Sequence, residues 1–343
     1  MTREKELEAV ARAIVAPGKG ILAADESHGT IEKRFKSIDV ESTEENRRSY
    51  REMLFTTPGI GDHVSGVILF DETIRQATAD GTPFTRVLEN AGVIPGIKVD
   101  KGAKALAGAP DEKVTEGLDG LRERLEEYRD LGAKFTKWRA VIDIGEGIPS
   151  AYAIHVNAHA LARFAALSQE AGLVPIVEPE VMMEGGHTIE RCYEVTEATL
   201  EAVFNELFSQ RVVYEGMLLK PNMVLSGKEC PTQAGPEEVA ESTVRCFRSV
   251  VPAAVPGIVF LSGGQSDEQA TANLNALNRI GPHPWELSFS YGRALQAPAL
   301  KAWNGDEANL AAGQEAFAHR ARLNGAARSG EYTPDMETMP TAA

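Results

Sequence analysis

The feature that most constrains this chain is a series of eight short apolar runs rich in β-branched residues, each separated from the next by enough chain for a helix. The runs are GILAADES from Gly20, SGVILFDE from Ser65, PGIKVDKG from Pro95, KFTKWRAVI from Lys134, LVPIVEPEV from Leu173, GMLLKPNM from Gly216, GIVFLSGG from Gly257 and ELSFSYGRA from Glu286. Strands covered on both faces read as continuous apolar runs, and parallel neighbours need a crossover of helical length between them. The intervening stretches carry apolar residues at spacings of three and four, as in TEGLDGLRERLEEYRDLG from Thr115 and IPSAYAIHVNAHALARFAALSQEAG from Ile148. Eight strand-then-helix units predict an α/β fold, the (β/α)8 or TIM barrel. No internal repeat, linker or low-complexity segment divides the chain, so residues 1–324 are expected to form a single barrel domain. The closing stretch NGAARSGEYTPDMETMPTAA is poor in large apolar residues, and a mobile C-terminal tail is expected over 325–343.

A barrel of this kind carries its chemistry at the C-terminal ends of the strands. Here those ends hold Asp25, Glu26, Asp71, Asp100, Lys101, Lys137, Arg139, Glu178, Glu180, Lys220, Ser262, Ser290 and Arg293. Any one such charge can simply face solvent, but a closed core has no use for so many. Lys220 follows Leu218 and Leu219 and precedes Pro221, which biases the backbone to an extended conformation and ends the strand. An amine there either snorkels to water or is held partly dry. In the second case its pKa falls, and the free amine can attack a carbonyl to form a Schiff base.

Alternation in FTKWRAV turns Phe135, Lys137 and Arg139 to one face and Trp138 to the other. A second ammonium beside Lys220 would depress its pKa, and an arginine two residues on can hold a phosphate; a buried ion pair with the acidic strand ends is the alternative. VEPEV places Glu178 and Glu180 on one face, and paired carboxylates push each other's pKa values apart, as general acid/base work requires. Asp25 adds a third carboxylate to the mouth. Ser262, Gly263 and Gly264 in FLSGGQS, with Ser290, Gly292 and Arg293 in FSYGRA, fall on the seventh and eighth strands, whose loops hold a phosphate in many barrels. Ser27, Thr30, Lys33 and Arg34 after the first strand, with Lys101 and Arg139, can hold a second anion, the alternative being a solvated helix face.

Composition excludes several other classes. A net charge of −15 opposes non-specific binding to nucleic acid or an anionic membrane, so an anionic substrate must be held by locally placed cations. Cys192, Cys230 and Cys246 are odd in number and lack C-x-x-C spacing, which argues against both a disulfide framework and a structural zinc site. His155 and His159 are four apart, but no third ligand is evident and the pair is read as surface or packing. Neither a metal nor any other cofactor is expected. The charged, amphipathic start MTREKELEAVARAIVAPGKG does not resemble a secretory signal, and no apolar run is long enough to span a bilayer, so the expectation is a cytoplasmic protein.

Taken together, these motifs resemble the class I fructose-bisphosphate aldolases of the animal and plant type. YEGMLLKPN is similar to that family's Schiff-base signature, and ENRRSYRE, VDKG, KWRAV, VPIVEPE and FLSGGQS follow in family positions, so the likeness spans nearly the whole chain. It implies reversible cleavage of fructose 1,6-bisphosphate to glycerone phosphate and glyceraldehyde 3-phosphate, with no cofactor and a homotetrameric assembly. By the same likeness Lys220 forms the imine, Glu178 moves the protons of its formation, and Asp25 takes the hydroxyl proton as the carbon–carbon bond breaks. Lys137 and Glu180 tune the charge beside them. Ser262, Gly263, Gly264, Ser290, Gly292 and Arg293 are implied for one phosphate, and Ser27, Thr30, Lys33, Arg34, Lys101 and Arg139 for the other. Animal and plant members end in a tyrosine that assists proton exchange on the enamine. The last tyrosine here, Tyr332, matches the earlier YTP, so another group or water is expected to take that role. A pyridoxal-phosphate lysine and a non-catalytic scaffold are the competing readings; the first lacks a partner for the pyridine nitrogen, and the second has no need of the lysine and carboxylate set.

Overall fold

The computed structural model describes residues 2–338. Every one of the eight apolar runs contains a strand: β1 (Gly20–Ala24), β2 (Val64–Leu69), β3 (Ile94–Lys98), β4 (Phe135–Ile142), β5 (Val174–Val181), β6 (Leu218–Leu219), β7 (Gly257–Phe260) and β8 (Glu286–Tyr291). Each pairs in parallel with its sequence neighbours, and β8 returns to β1 through Ile21 opposite Ser290, so the sheet closes into a barrel. Closure removes every edge and leaves helices to cover the outer face.

Alternation along the strands decides what lies inside. Ile21 and Ala23, Ile68, Phe135, Val174 and Ile176, Leu218 and Val259 form an interior cluster, while the intervening Leu22, Ala24, Trp138 and Val177 pack outward beneath the helices. Trp138 stacks on Phe164 of the helix Ala151–Glu170, with ring centroids 5.7 Å apart. The first helix, Arg3–Ile14, supplies Leu7, Ala11 and Ile14 to the interior cluster. Leu7 packs against Gly216 just before β6 and Val15 against Gly257 at the start of β7, so this helix plugs the N-terminal end of the barrel.

Following each inward column up its strand, apolar side chains give way to polar ones. On β5 the column is Val174, Ile176, Glu178, Glu180; on β4 it is Phe135, Lys137, Arg139; on β6 it is Leu218 and then Lys220 just past the ladder. The strand period of two forces this, since residues i, i+2 and i+4 share a face. A dry floor and a charged mouth are therefore written into the same strands.

Two expectations are corrected. The helix expected from Thr115 begins at Leu121, because Ala103–Leu106 and Ala109–Thr115 form an antiparallel hairpin after β3. That hairpin is tied over the barrel by Glu112, which accepts from the Ser150 amide at 2.7 Å, and by the Thr115 amide donating to Asn157 at 3.3 Å. Gly117 and Gly120 then take φ values of 130° and 64°, which turn the chain into the helix as few other residues can. The tail does not begin at 325. The last long helix runs over Leu310–Arg328, Tyr332 is buried, its amide donating to Asn275 at 3.0 Å, and a 3-10 turn occupies Pro334–Glu337. Ala326 and Ala327 with Tyr332 supply the apolar anchor that a count of large residues overlooks. Residues 339–343 of the expected tail lie outside the described residues. Among the described residues no helix is long and apolar enough to cross a membrane.

The barrel floor is tight around Phe135. A Cβ built on Gly96 would stand 2.3 Å from its ring, and one on Gly66 would stand 3.1 Å away. Gly96→Ala must push a buried ring in a closed interior and is expected to destabilise the fold by about 1–3 kcal/mol, measured as a lower denaturant midpoint at unchanged slope; an unchanged midpoint would show that the floor yields freely.

Candidate active site

At the C-terminal mouth the inward columns end in a single cleft of about 340 Å³. Lys220 stands at its base. Its amide donates to Val177 at 2.8 Å, the last contact before Pro221 removes a donor and stops the ladder. Beyond the proline, Asn222 Oδ1 takes over by accepting from the Val181 amide at 3.0 Å, so the strand end is locked although only two residues pair as ladder. The Lys220 side chain is consequently fixed, and the residue is only 3% exposed.

Three charged residues surround it in a chain. Lys220 Nζ lies 3.2 Å from Glu178 Oε1; Glu178 Oε2 lies 2.9 Å from Lys137 Nζ; and Lys137 Nζ donates to Asp25 Oδ2 at 2.8 Å. Burial lowers the pKa of Lys220, and the neighbouring Lys137 ammonium lowers it further, outweighing the pull of Glu178 and Asp25. Lys137 goes the other way. Burial opposes its charge, but Asp25, Glu178 and Asp100 together hold its ammonium well above the usual lysine range. Two lysines in one cleft are thus pushed apart in pKa, one toward the free amine and one toward a fixed charge.

The carboxylates answer to the same cations. Burial would raise Asp25, yet Lys137, Lys220 and Lys98 hold it far below the usual carboxylate range. Glu178 is likewise held low against burial by Lys137, Lys220 and Arg139. This corrects the expectation drawn from VEPEV. Arg139 Nε pairs with Glu180 and Lys137 with Glu178, so each carboxylate has a cation of its own beside it. Glu178 Oε2 is buried and lies against the Lys137 ammonium.

Asp25, Glu178, Glu180, Lys137, Lys220, Ser27, Thr30, Arg34, Arg139, Ser262, Gly263, Ser290 and Gly292 all line this cleft. Arg34 stands on the β8 side, with Nη2 3.5 Å from where a Cβ on Gly292 would lie, and so joins Ser262, Gly263 and Ser290 rather than the Ser27 group. Among the described residues the buried Ser290 hydroxyl there has no hydrogen-bond partner. Ser27 and Thr30, their hydroxyls 3.2 Å apart, open the helix His28–Lys36 across the mouth.

Four expected residues do not line the cleft. Lys33 is on the solvent face of its helix, and Lys101 is exposed where the chain leaves β3 for the hairpin. Gly264 makes the turn at φ 81° and backs onto Met183. The Arg293 guanidinium turns away to Asp267. The sequence reading passed over Lys98, which lines the cleft 3.6 Å from Asp100 Oδ1. Alternation in IKVD would have found it, because Lys98 and Asp100 share a face that Lys101 does not. Glu26 was also missed as a support: it pairs with Arg34 and accepts from Gln296 Nε2 at 2.8 Å. His155 and His159 lie on the helix Ala151–Glu170 facing Glu206 of the next, at 3.8 and 3.0 Å, and among the described residues no cluster of histidines, cysteines and carboxylates is arranged to hold a metal.

The family model for class I fructose-bisphosphate aldolase, a glycolytic family, matches residues 6–342. The chain belongs to the class I fructose-bisphosphate aldolases. This aldolase is 62% identical to a probable fructose-bisphosphate aldolase class 1 of Xanthomonas campestris, over 96% of its own length and 98% of that protein. It is 55% identical to the cytosolic fructose-bisphosphate aldolase 4 of Arabidopsis thaliana, over 98% of its length and 86% of the relative. Among solved structures, the aldolase of Plasmodium falciparum, captured with TRAP and a small-molecule inhibitor, superposes with a TM-score of 0.95 at 50% identity, covering 96% of each chain. The aldolase thus catalyses reversible aldol cleavage of fructose 1,6-bisphosphate, a reaction of glycolysis.

Lys137 is the charge on which the cleft turns. Replacing it by methionine removes one positive charge and makes proton uptake by Lys220, Glu178 and Asp25 easier, so each pKa rises. The acid limb of kcat/KM in Lys137→Met is therefore expected to move to higher pH. A pH–rate profile whose acid limb stays in place or moves down would show that Lys137 does not set these ionisations.

Proposed function

We propose that Lys220 is the nucleophile of this aldolase. The observation that carries the reading is a lysine amine buried at the base of the cleft, lowered in pKa, and 3.2 Å from a carboxylate able to take its proton. Breaking a carbon–carbon bond next to a ketone leaves an electron pair on carbon, and a protonated imine accepts that pair far better than the ketone does.

In this reading the Lys220 ammonium gives a proton to Glu178 Oε1, and the amine adds to the ketone carbon of fructose 1,6-bisphosphate. Glu178 returns the proton to the carbinolamine hydroxyl, which leaves as water and gives the imine. Asp25 takes the proton of the hydroxyl two carbons from the imine carbon; that carbon becomes the aldehyde as the bond between it and the intervening carbon breaks, glyceraldehyde 3-phosphate departs, and the electrons rest on the enamine. Lys137, fixed in charge between the two carboxylates, keeps both ionised and ready to accept. Protonation of the enamine carbon and hydrolysis of the imine release glycerone phosphate and restore Lys220.

Two anion sites would orient the substrate. Ser262, Gly263, Ser290 and Gly292, with Arg34 at their side, suit the phosphate on the glycerone side; the unpartnered Ser290 hydroxyl supports this. Ser27 and Thr30 at a helix N-terminus, with Lys98 across the cleft, suit the other. Lys33 and Lys101 are left out of this reading because they face solvent. Family likeness supports a homotetramer, to be checked by sedimentation, and relatives named cytosolic support a cytoplasmic location.

Borohydride added with substrate is expected to leave a reduced adduct on Lys220, located by mass spectrometry of the digested protein, and an adduct on another residue or none would remove Lys220 from the mechanism. Glu178→Gln keeps the shape but cannot carry the proton, and kcat is expected to fall by about 10²–10⁴-fold, as measured by steady-state cleavage assays.

A further inference from the structure

Arg293 follows Gly292, which lines the cleft, yet its guanidinium is outside. Nη1 donates to Asp267 Oδ1 at 2.7 Å and Nη2 donates to the carbonyl of Gln265. Both partners lie on the segment that continues from Ser262 and Gly263, so the arginine rests on the chain leading out of the cleft lining and not within it.

This resting place is rigid. Asp267 opens the helix Asp267–Arg279, whose start is closed by a reciprocal Ser266–Gln269 capping box. Arg320 holds it from behind, with Nη2 donating to the Asp267 carbonyl at 3.0 Å and Nη1 pairing with Glu337. The arginine, by contrast, is free to swing: its side chain is 47% exposed, and among the described residues only these two polar contacts hold it.

The charge balance explains which position it takes. The cleft lining sets Arg34, Lys98, Lys137, Arg139 and Lys220 against Asp25, Glu26, Asp100, Glu178 and Glu180, so it offers a further guanidinium no net attraction, whereas Asp267 offers a carboxylate outside it. A phosphate seated between Gly263 and Gly292 adds net negative charge and offers oxygens to a planar bidentate donor.

We propose that Asp267 is a positioning residue that holds Arg293 outside the empty cleft, and that the phosphate on the glycerone side must win the guanidinium from it. This rests on the reading that Ser262, Gly263, Ser290 and Gly292 hold that phosphate. Asp267 therefore subtracts from substrate affinity without touching substrate, and its carboxylate sets how strongly phosphate must bind to complete its own site.

Titration calorimetry with inorganic phosphate and with glycerone phosphate, together with steady-state kinetics, tests the inference on the full chain. Asp267→Asn keeps the size and loses the charge. It is expected to tighten phosphate binding and lower KM by about two- to tenfold, the range of a partly exposed ion pair, with kcat nearly unchanged. In an Arg293→Ala background the same substitution is expected to change neither quantity. Weaker or unchanged binding in Asp267→Asn would overturn the proposal, since Asp267 would then orient Arg293 in the bound state or be indifferent to it. Should Arg293→Ala alone leave phosphate affinity and KM untouched, the guanidinium never reaches the phosphate and the inference falls, whereas Ser290→Ala leaving both untouched would remove the phosphate reading on which it rests. If Asp267→Asn fails to show a native circular dichroism spectrum, Asp267→Ser, which retains a small polar side chain at the helix start, provides the same comparison.

Discussion

The contact on which the rest of this molecule depends is the ammonium of Lys137 lodged between Asp25 and Glu178. Without it, two buried carboxylates would face each other in a space largely shielded from water, and at least one would take up a proton. Removing one partner of such a buried cluster is far more costly than never having built it, on the order of 3–5 kcal/mol. The barrel accepts that liability because the same ammonium does three things: it keeps two bases ionised, it repels the proton on Lys220, and it is itself too strongly held to react. The lysine held firmly as a cation makes its neighbour the easier one to deprotonate.

Much of this was legible in the residues because a barrel strand reports its inside and outside alternately. Phe135, Lys137 and Arg139 had to share a face, as did Glu178 and Glu180, and Pro221 had to end a strand just where Lys220 emerges. What escaped were features without that periodic signature. The hairpin Ala103–Thr115 is exposed along much of its length and carries no apolar run to announce it. Lys98 was hidden by attention to Asp100 and Lys101, although the pleat turns Lys101 away. Arg293 sits at the expected strand end, yet its direction depends on Asp267, 26 residues earlier, and long flexible side chains choose partners by charge rather than by backbone phase. The C-terminal stretch was judged by its lack of large apolar residues, while its hold on the barrel comes from small alanines, one tyrosine and backbone-directed polar contacts.

The supporting layer around the cleft follows the same logic as its centre. Glu26 binds Arg34 while itself accepting from Gln296 Nε2, and Tyr50, buried, donates in turn to Gln296 Oε1 at 3.1 Å. A guanidinium at the edge of the cleft is thus aimed by a relay that reaches into the packed helices. Such relays fix rotamers, which is what positioning for catalysis requires.

The helix that plugs the barrel floor has a further consequence. With Leu7, Ala11 and Ile14 stopping one end, the cleft is a vessel with a single doorway, and everything that reacts must pass through it in both directions. Depth then imposes a queue. In the mechanism proposed, the fragment held by Lys220 at the base leaves after the free one, and in the building direction it arrives first. The sequence of departures in this aldolase is therefore a property of its floor as much as of its chemistry.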